Sequence, residues 1–148
     1  MDDLESLFPG LRGSGHVVTS PEDIHYNCVA WAAEDNENWW WPDEDSHWPE
    51  GVAREETIAA FVAAYGEFGF VSCDGPLLEE GYEKIAIYAA PDGIPTHVAR
   101  QLESGLWSSK LGQLQDIEHR LEDLVGSLYG HCSHFLKRER VGPPPIRP

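Results

Sequence analysis

Residues 83–111, EKIAIYAAPDGIPTHVARQLESGLWSSKL, decide how this chain folds. Residues 83–89, in which Ile85 and Ile87 alternate ahead of Tyr88, residues 95–102 and residues 106–111 read as three strands, with Pro91-Asp92-Gly93 and Glu103-Ser104-Gly105 as the turns between them. Short turns between consecutive strands make an antiparallel meander. If Glu103-Ser104-Gly105 is a three-residue loop, Leu102 pairs with Leu106 and Ala99 with Ser109, which puts Ser109 on the sheet face of His97. A two-residue loop brings Ser108 round instead, because a shift of one residue exchanges the faces.

Outward from the meander the pattern becomes helical. Ile58, Phe61, Val62 and Tyr65 recur at i, i+3, i+4, i+7, which predicts an amphipathic helix over 55–65 closed by Gly66 and Gly69. Asn27 is a favoured N-cap and the residues after it, Cys28-Val29-Ala30-Trp31-Ala32-Ala33, are Ala-rich, so Cys28 falls in a first helical turn. Ser20-Pro21-Glu22-Asp23 carries another helix-start pattern. Downstream, Asp116 caps a predicted helix bearing Ile117, Leu121, Leu124, Val125 and Leu128 and ending at Gly130, and a last strand follows over 131–138. The expected organisation is an arm over 1–19, an α+β domain over 20–140 with its helices packed on an antiparallel sheet, and a Pro-rich tail over 141–148.

With 148 residues, 41% of them hydrophobic, and six Trp, the chain has enough apolar surface for one domain with a buried core. Its formal net charge of −16 repels a phosphate backbone, so nucleic acid is not an expected partner. No apolar run approaches the roughly 20 residues of a membrane span, and Met1-Asp2-Asp3-Leu4-Glu5 lacks the basic start of a signal peptide. The expected location is cytoplasmic, or outside the cell by a route without a cleavable signal. Three widely spaced cysteines, Cys28, Cys73 and Cys132, suit free thiols better than a disulfide framework.

Cys28 is the first chemical candidate, because a helix start offers unpaired N–H groups and the positive end of the dipole, which favour the nucleophilic thiolate. A nucleophilic cysteine needs a group that takes its proton and returns it to the leaving group, and His97, opening a strand in the middle of the meander, is the histidine best placed to do so. Neither His25-Tyr26-Asn27-Cys28 nor His131-Cys132-Ser133-His134 has a standard zinc spacing, and no metal or other cofactor is expected. Nine carboxylates stand against Arg54 alone over 34–56, interleaved with Trp39, Trp40, Trp41 and Trp48. An aromatic, acidic cleft wall would suit a basic peptide or a sugar-containing substrate.

Asn27-Cys28-Val29-Ala30-Trp31-Ala32 at a helix start, followed by a sheet strand opening Thr96-His97-Val98-Ala99, resembles the papain-like cysteine hydrolases, in particular their NlpC/P60 and CHAP branches. The segment from Tyr26 to His119, with Trp39-Trp40-Trp41-Pro42 and Trp107-Ser108-Ser109-Lys110-Leu111-Gly112, also looks like a bacterial family of unknown function. The superfamily resemblance implies a papain-like NlpC/P60-type fold with the nucleophile helix on the sheet. It implies Cys28 as nucleophile, His97 as general base and acid, and Ser109 as the third member about a dozen residues on, with Asp116 or His119 as alternatives. Backbone N–H groups around Cys28 would form the oxyanion hole, with Asn27, Trp31, Trp39, Trp40 and Trp41 around it and the cleft. The implied reaction is cleavage of an amide bond, as a peptidase, amidase or glutamine deamidase, in a peptide, a peptidoglycan peptide or a protein. The alternative is a catalytically silent domain, regulatory or immunity-type, that binds a basic protein through its acidic Trp-rich face.

Overall fold

The computed structural model describes residues 8–11, 17–20, 26–32, 38–111, 116–126 and 129–139. The elements run β1 (Val17–Ser20), α1 (Cys28–Ala32), α2 (Ile58–Gly66), β2 (Val71–Cys73), β3 (Tyr82–Ala89), β4 (Pro95–Gln101), β5 (Trp107–Lys110), β6 (Asp116–His119) and β7 (His131–Glu139). Short 3-10 turns lie at Pro9–Leu11 and Leu121–Leu124. The meander forms with the three-residue loop. Leu102 N–H donates to Leu106 O at 2.8 Å, and Arg100 pairs with Ser108 and Gln101 with Trp107, the register that sets Ser109 beside the line of His97.

All seven strands join one antiparallel sheet in the order β1-β6-β5-β4-β3-β7-β2. Alternation divides its side chains between two cores. Ile85, Ile87, Val98 and Leu136 pack with residues of α1 and α2, whereas Ala86, Tyr88, Ala99, Trp107 and Ile117 pack with Phe8 and with Leu11 and Leu124 of the 3-10 turns. With both faces covered, β3 is buried from Lys84 to Ala89, which explains its nearly continuous apolar run. The predicted amphipathic helix is α2, where Thr57 Oγ1 accepts from Ala60 N–H at 3.1 Å and Phe61 and Tyr65 enter the core.

The expected papain-like α+β fold is corrected by this architecture. The protein is β-rich: a seven-stranded antiparallel sheet makes up most of it, and among the described residues α1 and α2 are the two α-helices, of five and nine residues. The predicted helix from Asp116 to Gly130 is instead β6 followed by a 3-10 turn. Sheet pairing overrides helix propensity there: β6 bonds β5 on one side and β1 on the other, so Ile117 and His119 are buried while Glu118 is only partly so. Val17–Ser20, within and just beyond the expected arm, is the edge strand that completes this side of the sheet. Cys73 ends β2. Residues 21–25 of the second helix-start pattern and the tail over 141–148 lie outside the described residues. Among the described residues no helix is long and apolar enough to cross a membrane.

Candidate active site

Asn27 caps α1 and also fastens the Trp loop to it. Its Oδ1 accepts from Ala30 N–H at 3.2 Å and from Trp40 N–H at 3.1 Å, and its Nδ2 donates to Trp40 O at 2.6 Å. Cys28, the next residue, is buried, and the main-chain N–H groups of Val98, Val29 and Cys28 itself face its sulfur. Burial pushes the thiol up to about 11, and those N–H groups together with the charge of Lys110 offset only part of the rise. Lys110 is fully buried, with its ammonium 4.9 Å from the centre of the Tyr26 ring.

His97, Ser109 and His119 stand on three neighbouring strands and on one sheet face. His97 Nε2 lies 2.8 Å from Ser109 Oγ, Ser109 Oγ lies 2.6 Å from His119 Nε2, and His119 Nδ1 lies 2.7 Å from the carbonyl oxygen of Arg120. That carbonyl can only accept, so the proton of His119 is on Nδ1, and a neutral His119 presents a bare Nε2. Ser109 then donates to His119 and accepts from His97 Nε2–H, which leaves Nδ1 of a neutral His97 with its lone pair. This Nδ1 is buried and has no hydrogen-bond partner. Burial first, and a charge on His119 second, hold His97 well below the ordinary histidine value, so the imidazole rests neutral. Its ring is stacked on Tyr129 at 4.1 Å between centroids and meets Tyr88 edge-on.

The thiol and the imidazole approach from different sides. The register gives His97 to the face of Tyr88 and Ala99, whereas α1 rests on the other face, where Trp31 Nε1 donates to Ser108 Oγ at 2.9 Å. The β4–β5 pairing runs only to Arg100–Ser108, and beyond it Val98 N–H faces the sulfur. The sulfur therefore lies against the residue that follows His97, and Nδ1 is the ring nitrogen nearest the main chain. Tyr129 links the two sides, since its ring covers His97 and also lines the cleft into which Cys28 opens. This cleft has a volume of about 360 Å³ and is bounded further by Trp39, Trp41, Asp43 and Thr96.

Ser109, rather than Ser108, reaches His97, as the three-residue loop requires. Asp116 opens β6 opposite Lys110. Asn27 reaches the cleft wall, but its side-chain atoms are engaged in capping. Trp39 and Trp41 line the cleft, while Trp40 is in the core and Trp31 holds Ser108 and stacks under Arg100 at 4.2 Å. His119 completes the chain begun by His97 and Ser109, where the sequence reading had it as an alternative to Ser109. Lys110 and Tyr129 were not anticipated. Lys110 follows from strand alternation once the register is known, and no pattern around Tyr129 announces it. Among the described residues no group of three or more His, Cys, Asp or Glu side chains could hold a metal ion.

Neither the curated proteins nor the solved structures contain a match to this chain. The family described as Domain of unknown function (DUF7689) matches residues 17–137, a span that runs from β1 into β7 and takes in Cys28, His97, Ser109 and His119, and the chain belongs to that family.

Proposed function

We propose that this protein is a cysteine hydrolase of amide bonds, with Cys28 as nucleophile and His97 as general base and acid. One observation carries the reading: a buried imidazole whose Nε2 is tied into a Ser109–His119–carbonyl relay keeps an unpartnered Nδ1, on the residue that precedes Val98, whose main-chain N–H faces the thiol. Buried polar atoms are seldom left without a partner, and a base awaiting a proton is one reason for leaving one so. The resting pair is neutral, thiol and imidazole, and the proton moves when a carbonyl arrives. Nδ1 takes the thiol proton as sulfur bonds the carbonyl carbon, then gives it to the amine nitrogen as the C–N bond breaks. Water attacks the thioester, Nδ1 takes a proton from the water and returns it to sulfur, and a carboxylic acid leaves. Ser109 and His119 are positioning residues: they hold the imidazole in the tautomer that presents Nδ1.

The test is acylation by a p-nitrophenyl ester, read site by site by peptide mass spectrometry, with Cys73 and Cys132 as internal controls. The expected result is an acyl group that forms on Cys28 and turns over, slowed on the order of 100-fold or more by His97→Gln. A second reading, the silent domain that binds a basic protein, is favoured by the thiol pushed up to about 11. It expects Cys28 to acylate no faster than the control thiols, with no effect of His97→Gln, and that result would overturn the hydrolase.

A further inference from the structure

Residues 38–43 run past the start of α1 in an alternating pattern. Trp40 and Pro42 are buried, whereas Trp39 and Trp41 are half-buried, Asp43 is exposed, and these three line the cleft of Cys28. Two features hold the alternation in place. Trp40 is clamped through its main chain by Asn27, and His47 N–H donates to Trp39 O at 2.9 Å while Trp41 N–H donates to His47 O at 3.2 Å. An extended segment directs every second side chain to one side, so Trp39, Trp41 and Asp43 form a row of two indoles and a carboxylate. The Trp41 ring is held edge-on by Phe61 at 5.6 Å, which fixes the wall. Across the cleft stands Tyr129, a neutral phenol, because burial raises it well above its ordinary value. Among the described residues that line the cleft, Asp43 is the charged one. The nearby Arg54 directs its guanidinium to the main-chain oxygens of Asp43 and Ser46 and holds the loop.

We infer that this row selects a cationic side chain, an arginine or lysine next to the amide that Cys28 attacks, so that the substrate class is a basic peptide or protein. Indole faces attract cations through their quadrupole, the carboxylate at the end of the row supplies the counter-charge, and a chain of net charge −16 draws cations toward it. The inference rests on Cys28 being the nucleophile and adds what sits beside it.

The experiment compares benzoyl-arginine and benzoyl-citrulline chloromethyl ketones, nearly isosteric and differing in charge, by the rate at which each alkylates Cys28 in the parent, Asp43→Asn and His97→Gln proteins. The expected result is a rate for the arginine probe roughly tenfold above that for citrulline, falling toward equality in Asp43→Asn. Equal rates that still depend on His97 would overturn the cationic substrate and leave the nucleophile standing. Rates that ignore His97 and match those at Cys73 and Cys132 would overturn both. Quenching of Trp fluorescence by benzoyl-arginine amide in Cys28→Ala gives a readout without reaction. Saturable quenching that the citrulline amide does not reproduce supports the row, and identical quenching by the two amides overturns it.

Discussion

Burial opposes charge at both Cys28 and His97, and each therefore links the site to stability with a definite sign. The Cys28 thiol, raised from 9.0 to about 11, adds stability that is complete below pH 9 and is lost as the pH rises through 11, because the unfolded thiol ionises first. His97, lowered from 6.5, adds stability present above about pH 6.5 and lost as the pH falls toward its folded value, because the unfolded chain binds the proton first. Urea denaturation across pH should show both slopes, and Cys28→Ala should reduce the alkaline one, to which the Cys132 thiol, also pushed up to about 11, contributes as well. For turnover, His97 must be neutral, so the acid limb of kcat/KM should lie below pH 6.5. The relay makes a separate prediction at its far end. His119→Leu leaves the Ser109 hydroxyl without its acceptor and should lower kcat on the order of tenfold or more with little change in KM. His119→Gln, whose amide oxygen can accept in place of Nε2, should recover most of the loss.

At the scale of elements, α1 is too short to stand by its own hydrogen bonds and depends on its cap. Asn27→Ala removes that cap together with the two hydrogen bonds from its side chain to the buried Trp40 main chain, a combined cost of about 3 kcal/mol in urea denaturation. The loop that carries Tyr129 depends on Gly130, which has φ +78° and lies so near Ala89 that an added Cβ would strike its carbonyl oxygen. Gly130→Ala should cost about 2 kcal/mol or more and displace the ring stacked on His97. The meander, the cap, the start of α1 and the amphipathic stripe of α2 were legible because each rests on neighbours within a few residues. The strands β1, β2 and β6 were not, since Val17–Ser20 and Val71–Cys73 become strands only by pairing with distant partners, and Asp116–His119 lies between the adjacent β5 and the distant β1.

Over the whole molecule, the charge of −16 makes cation recruitment depend on ionic strength. Turnover of a benzoyl-arginine amide should fall as salt rises from about 0.05 to 0.5 M, where screening shortens to a few Å, while turnover of the citrulline amide stays flat. A parallel fall for both would point to a salt effect on the fold instead of the cleft. The Trp-rich stretch also reads differently at this scale. Trp40 and Trp48 close the core over α2, and only Trp39 and Trp41 remain for a ligand.

The order and type of the central strands and the cap ahead of Cys28 followed from the sequence alone, because turn length, capping and alternation act between residues close along the chain, whereas the choice of Ser109 over Ser108 beside His97 waited on the loop register. Tertiary structure alone decided that the molecule is β-rich, that His119 and a backbone carbonyl set the tautomer of His97, and that Cys28 and His97 rest uncharged. Those outcomes depend on burial and on pairing between strands far apart in the sequence, and no local pattern encodes how deeply a thiol or an imidazole will be covered.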